Sequence, residues 1–137
     1  MKVENRTYFL YKYTWEIDGH TYYYYGKTYV GSDRYGNASR YKDQYVYRFF
    51  LKNKPCECII KYDENPLKIG YLESVFVARS SNDIYNLNVK QENWISEIQQ
   101  NLKDYYKTEE RFYKDLVEME EWRKTNEEKI QNILNSY

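Results

Sequence analysis

Thr7-Tyr8-Phe9-Leu10-Tyr11-Lys12-Tyr13-Thr14 and Thr21-Tyr22-Tyr23-Tyr24-Tyr25-Gly26 are two runs rich in β-forming residues, and Asp18-Gly19 stands between them. Aromatic and β-branched side chains suit the pleated, half-buried surface of a strand, and Asp-Gly supplies the positive φ angles of a tight turn. The pair reads as a β-hairpin. Gly31–Ser39, with its Gly, Ser, Asp and Asn, reads as a loop leading to a helix at about Tyr41–Asn53. Tyr45, Val46, Phe49 and Phe50 form a rough apolar stripe on that helix, and Pro55 closes it. Glu57–Tyr62 reads as a third strand. Asn65-Pro66 opens a second helix, from about Leu67 to Arg79, with Ser80–Asp83 as its exit. The order β-β-α-β-α predicts an α+β domain over residues 1–90.

Residues 91–137 contain neither Gly nor Pro. Ile95, Ile98, Leu102, Tyr105, Phe112, Leu116, Met119, Ile130 and Ile133 recur at spacings of three and four, while Glu109, Arg123 and Asn126 fill the same stripe where it is polar. This predicts a long, coiled-coil-like helical tail, or two helices broken near Thr125-Asn126. Such a stripe packs against another copy, making a homo-oligomer through 91–137, or docks on the front domain, or stays solvated.

Length and composition narrow the classes. A chain of 137 residues holds one domain of ordinary size plus an appendage. Charge balances at 21 basic and 21 acidic residues, but residues 1–90 carry 14 basic and 10 acidic, leaving 7 and 11 for the tail. A polyanion surface therefore belongs to the front of the chain, not the tail. With 19 tyrosines, much of the core must be phenolic, its hydroxyls needing partners or solvent. No apolar run approaches membrane-spanning length and the start lacks a signal peptide's apolar stretch, so no membrane partner and a cytoplasmic location, bacterial or in a phage-infected host, are expected. Cys56 and Cys58 read as a reduced pair on one face of a strand, far in sequence from the single histidine, His20.

Five positions along this order resemble the GIY-YIG nucleases. Phe9-Leu10-Tyr11 stands for the first signature triplet and Tyr24-Tyr25-Gly26 for the second. Arg34 follows Gly26 by eight residues, near the spacing of the family's catalytic arginine. Glu73 in the second helix matches the metal-ligand position, and Asn86, thirteen residues after Glu73, the asparagine that closes the domain. The resemblance spans about residues 7–88. Tyr11 and Tyr24 are thirteen residues apart, two more than in many compact members. An even insertion in a strand returns the later tyrosine to the same sheet face. Ala38 stands four residues after Arg34, where most members carry His or Tyr, and Arg40 is the substitute for the arginine.

The resemblance implies a small domain built on a three-stranded antiparallel sheet flanked by helices, and a metal-dependent endonuclease that hydrolyses DNA phosphodiester bonds. Such hydrolysis needs an activated water, stabilisation of the transition-state charge and help for the leaving oxygen. The implied catalytic set is Tyr11, Tyr24, Arg34 (or Arg40), Lys27 and Glu73. Glu73 would hold one Mg²⁺ or Mn²⁺ per active site, Arg34 would clamp phosphate oxygens, and Tyr11, or Tyr24 beside it, would accept the proton of the water. A phenol ionises at roughly pH 10, so that base must be shifted downward, and Lys27 is the candidate cation. Phosphate contacts would come from Lys27, Arg34, Arg40, Lys42 and Arg48, with Tyr29, Tyr35 and Tyr41 interleaved. Gly26 and Asn86 would be structural. The acidic tail favours a compact restriction-like or phage-type enzyme. One rival is a degenerate module that binds nucleic acid or protein without cutting and assembles through its helical tail; a second is an unrelated β-hairpin domain rich in Tyr. The bland readings of the single residues are a solvent-facing Glu73, a surface Arg34 and tyrosines that fill a β-sheet.

Overall fold

The computed structural model describes residues 6–88 and 109–137. Asp18 and Gly19 both take positive φ, 53° and 80°, the geometry of a two-residue primed turn whose twist matches the flanking strands. They join β1 (Tyr8–Ile17) to β2 (His20–Tyr29). In the resulting register Tyr11 faces Gly26 and Tyr13 faces Tyr24. Tyr11 and Tyr24 therefore stand diagonally on one sheet face, as the even insertion requires. β3 (Cys56–Asp63) pairs antiparallel with the other side of β1, giving the order β2-β1-β3. Leu10 faces Lys61 and Tyr11 faces Ile59, so Ile60 is the extra residue of a bulge. Cys56 and Cys58 are free and exposed on this strand.

Alternation divides the sheet into two cores. Phe9, Tyr11, Tyr13, Trp15 and Tyr24 are buried on one face with Tyr41, Val46, Phe49 and Leu87. Tyr8, Leu10 and Tyr25 are buried on the other, against α2 (Pro66–Arg79) through Leu67, Ile69, Leu72 and Phe76. Asn65 starts α2 by accepting the Leu67 amide at 2.9 Å, with Pro66 in the first turn, where a missing N–H costs nothing.

The first predicted helix is much reduced. A 3₁₀ turn spans Ala38–Tyr41, and α1 is a single turn, Tyr47–Phe50. Tyr41, Val46 and Phe49 all have to reach the sheet. A continuous α-helix would hold residues five apart, such as Tyr41 and Val46, about 140° apart around its axis. Breaking the segment brings both inward.

The tail is two helices, α3 (Glu109–Thr125) and α4 (Glu127–Ser136), broken at Asn126. Phe112, Met119, Ile130 and Leu134 join the α2 core. Asn65 Nδ2 donates to the Asp115 carbonyl at 2.9 Å, and Lys68 pairs with Glu118 at 3.0 Å. Of the three expected fates of the stripe, docking on the front domain is the one observed over these residues. Ile95, Ile98, Leu102 and Tyr105 lie outside the described residues. Among the described residues no helix is long and apolar enough to cross a membrane.

Candidate active site

β2 is an edge strand, and residues 85–88 seal part of it. The Tyr23 amide donates to the Tyr85 carbonyl at 3.0 Å, the Leu87 amide to the Tyr23 carbonyl at 2.8 Å, and the Tyr25 amide to Asn88 Oδ1 at 2.8 Å. Asn86 Nδ2 ties this segment to the end of α2 through the Ser80 carbonyl at 3.1 Å. His20 stacks on Tyr85, 5.0 Å between ring centres.

Tyr11, Tyr24 and Arg34 come together on the face opposite α2. Tyr11 is fully buried, its ring lying across Gly26. Its hydroxyl is 2.5 Å from that of Tyr41, and Tyr41 is 2.9 Å from the Tyr13 hydroxyl. The Gly36 amide donates to Tyr13 Oη at 2.7 Å, which fastens the loop after β2 onto β1. Arg34, from that loop, holds its guanidinium carbon 4.6 Å from the centre of the Tyr41 ring and interacts with the phenols of Tyr11 and Tyr24. Tyr24 stacks on Tyr13, 6.0 Å between ring centres, and donates its hydroxyl proton to Gln44 Oε1 at 2.9 Å.

Glu73 approaches from α2. Lys27 has the strand parity of Tyr23 and Tyr25, so its side chain leaves on the α2 side and its Nζ sits 3.7 Å from Glu73 Oε1. The carboxylate side chain is 19% exposed, and its charge is felt by both Tyr24 and Arg34. Tyr11, Tyr24 and Arg34 thus share one sheet face, and the Glu73–Lys27 pair lies on the α2 side, its charge reaching Tyr24 and Arg34.

Burial dominates its electrostatics. It pushes the Tyr11 phenol well above the ordinary range; Tyr24 and Tyr13 add to this, while the Tyr41 hydrogen bond and Arg34 pull against it. Tyr24 is pushed up to about 12 by burial, with Arg34 opposing and Glu73 adding. Burial works against the Arg34 charge, yet Tyr11 and Tyr24 outweigh it and hold the guanidinium more firmly protonated than usual. Burial raises the Glu73 carboxyl, and Lys27 and Arg34 offset only part of that cost. The expectation that Lys27 lowers the phenol of Tyr24 is corrected here: the ammonium is on Glu73, on the other side of the sheet, and both candidate phenols are raised in the free protein.

The other predicted contacts are scattered. Arg40 is exposed and paired with Asp33 at 3.4 Å, whereas Arg34 lies against Tyr41. Lys42 is exposed, and Arg48 lies over the Tyr45 ring at 4.9 Å. Tyr41, read from sequence as an aromatic interleaved with DNA-facing charges, has no exposed surface and cannot stack on a base. Tyr41, Tyr13 and Gln44 are the members that sequence reasoning missed. Asn37, whose side chain accepts from the Ser39 amide and so opens the 3₁₀ turn that ends at buried Tyr41, was the available signal.

Among the described residues no group of three His, Cys, Asp or Glu side chains could hold a metal alone. Glu73, half-buried and paired with Lys27, is a single carboxylate, so a hard divalent ion there would need its remaining ligands from water and phosphate. Comparison with protein-family models, with curated proteins and with solved structures finds no match.

Proposed function

We propose that the chain is a divalent-metal-dependent endonuclease of the GIY-YIG type acting on DNA phosphodiester bonds. The observation that carries the reading is that Tyr11, Tyr24 and Arg34, from three separate segments, meet on one sheet face, with the charge of Glu73 reaching Arg34 and Tyr24 from the α2 side. Arg34 would bind the non-bridging oxygens of the scissile phosphate, its planar donors matching that geometry. One tyrosine of the pair, once its own proton has left to solvent and it stands as the phenolate, would take the proton of the attacking water. Glu73 would hold the ion, which when bound supplies charge neutralisation at the leaving oxygen. Lys27 orients Glu73 and compensates its charge until the ion does so.

The deciding experiment is nicking of supercoiled plasmid with Mg²⁺, by wild type and by Glu73→Ala. Cutting by wild type that falls at least a hundredfold in the variant is expected. Cutting that survives in Glu73→Ala would remove the metal assignment. A dimer through the tail is the proposed route to double-strand breaks, using positions the docked stripe leaves outward, such as Val117, 58% exposed.

A second reading has its own observation. Tyr11 is fully buried beneath Arg34 and Glu73 already has a lysine partner, which suits a module that grips phosphates through Arg34 without cutting. Salt-sensitive DNA binding with no nicking by wild type would select it.

A further inference from the structure

The hairpin-turn end of the sheet carries a strip of rings that the proposed chemistry does not use. His20, Tyr22 and Tyr24 alternate onto one face of β2. Tyr22 meets Phe49 at 5.0 Å and Tyr85 at 5.2 Å between ring centres, His20 stacks on Tyr85 at 5.0 Å, and Tyr45 meets Phe49 at 5.9 Å. Phe49 is the buried member. Tyr22 and Tyr85 are half-buried, while His20 and Tyr45 are exposed, so the strip ends on both sides in rings open to solvent. Its charge is lopsided. Residues 42–54 carry four basic side chains, Lys42, Arg48, Lys52 and Lys54, against the single acid Asp43, and all four are exposed. Arg48 lies over the Tyr45 ring at 4.9 Å and Lys52 over Phe49 at 5.6 Å. At the other end Asp18 sits in the turn and Asp83 accepts the Tyr85 amide at 2.9 Å. Open rings beside an excess of cations suit a polyanion whose units carry flat apolar faces, which is the chemistry of a strand with unpaired bases. An acidic peptide would satisfy the cations and leave the ring faces unused. In a duplex the base faces are already stacked on their neighbours.

We propose that His20, Tyr22, Tyr45 and Tyr85 form a stacking platform for an unpaired DNA strand, its phosphates held by Arg48 and Lys52 at the Tyr45 end. The platform adjoins the tyrosine–arginine cluster. Gln44, which accepts the Tyr24 hydroxyl at 2.9 Å, is the residue before Tyr45, and His20 lies four residues from Tyr24 along β2, about 13 Å. A strand with one phosphate on Arg34 can run on across these rings, which selects DNA with an unpaired stretch beside the cut over uniform duplex. That selection of a cutting site rests on the nuclease reading; binding of the unpaired strand by the platform does not.

The test is fluorescence anisotropy of the full chain with a fluorescein-labelled oligo(dT) and with a duplex of the same length, in EDTA so that nothing is cut. Tyr45→Ala and His20→Ala should each weaken single-strand binding about tenfold, the loss of one base–ring stack, and duplex binding by less than about twofold. Tyr45→Phe, which keeps the ring, should bind oligo(dT) as wild type does. Both side chains are exposed, and an unchanged Tm in each variant shows that the losses are not those of the fold. No single-strand binding by wild type, wild-type affinity in both alanine variants, or equal losses on single strand and duplex would each overturn the platform. Displacement of oligo(dT) by polyglutamate as readily as by unlabelled oligo(dT) would also overturn it, in favour of an acidic protein partner. Ring-dependent binding by a wild type that never nicks plasmid would leave the platform standing and sink the nuclease reading. Glu73-dependent nicking without ring-dependent binding would do the reverse.

Discussion

Gly26 faces Tyr11 across the hairpin, and a Cβ at position 26 would lie within 2.6 Å of Tyr11 Cε1. Gly26 is not among the positive-φ glycines of the chain, so its requirement is space and not backbone freedom. The missing side chain is what lets the phenol lie flat over β2 and reach Tyr41.

Gly26→Ala should therefore act through Tyr11. Overpacking of a filled core costs roughly 1–3 kcal/mol, so a lower Tm is expected. A 3-fluorotyrosine placed at position 11 and observed by ¹⁹F NMR should shift with it, since the ring cannot stay where it is. An alanine variant with unchanged stability and an unmoved Tyr11 signal would mean that the sheet relaxes at no cost.

The buried phenols should govern alkaline stability. Tyr11, Tyr13, Tyr24 and Tyr41 are all raised from the ordinary 10.0, chiefly by burial, Tyr24 to about 12. The fold favours their neutral forms, so the stability they confer is complete below about pH 10 and is lost as pH rises toward 12 and beyond. Ultraviolet titration should resolve an early set of exposed phenols and a later cooperative set that ionises as the protein unfolds. A single smooth titration centred on the ordinary value would contradict the buried network.

The hairpin was legible because Asp18-Gly19 fixes a two-residue turn and period two then fixes every later face, including that of Tyr24. The Pro66–Arg79 helix was legible from Asn65-Pro66. The segment between β2 and β3 was not: its apolar residues look helical at Tyr45, Val46, Phe49 and Phe50, but Tyr41 also has to enter the core, and no single helix satisfies both. Because Tyr41 was read as solvent-facing, its hydroxyl contacts with Tyr11 and Tyr13 were invisible. The partner of Lys27 was hidden for another reason: Lys27 is near Tyr24 in sequence, yet an odd separation along a strand sends the two side chains to opposite faces.

The tail should unfold with the domain it covers. Met119 is 5% exposed, in one core with Leu67, Leu72 and Phe76, and truncating a buried Met to Ala costs about 2–5 kcal/mol. Met119→Ala should lower Tm for the front and the tail together. Trp15 reports on the first and Trp122, beside Lys61 and Lys68, on the second. Chemical denaturation followed by single-tryptophan variants should give coincident transitions. Two separated transitions would show that the helices dock without sharing a cooperative core.

The Glu73 carboxyl should make stability depend on pH. Burial holds its carboxyl above the ordinary 4.5, with Lys27 and Arg34 compensating only in part. The fold thus favours the protonated acid; that contribution is complete below 4.5 and is lost as pH rises through the raised folded value. Glu73→Gln, neutral throughout, should be more stable than wild type at neutral pH, and the two Tm curves should converge as pH falls below 4.5. A divalent ion bound to the ionised carboxylate would stabilise the native state by mass action. Mg²⁺ should therefore raise the Tm of wild type at neutral pH and leave that of Glu73→Gln unmoved, without any appeal to activity. If Glu73→Gln is instead the less stable protein at neutral pH, the ion pair with Lys27 outweighs the burial and Glu73 is a structural anchor. Equal Mg²⁺ shifts in both proteins would move the ion's site away from residue 73.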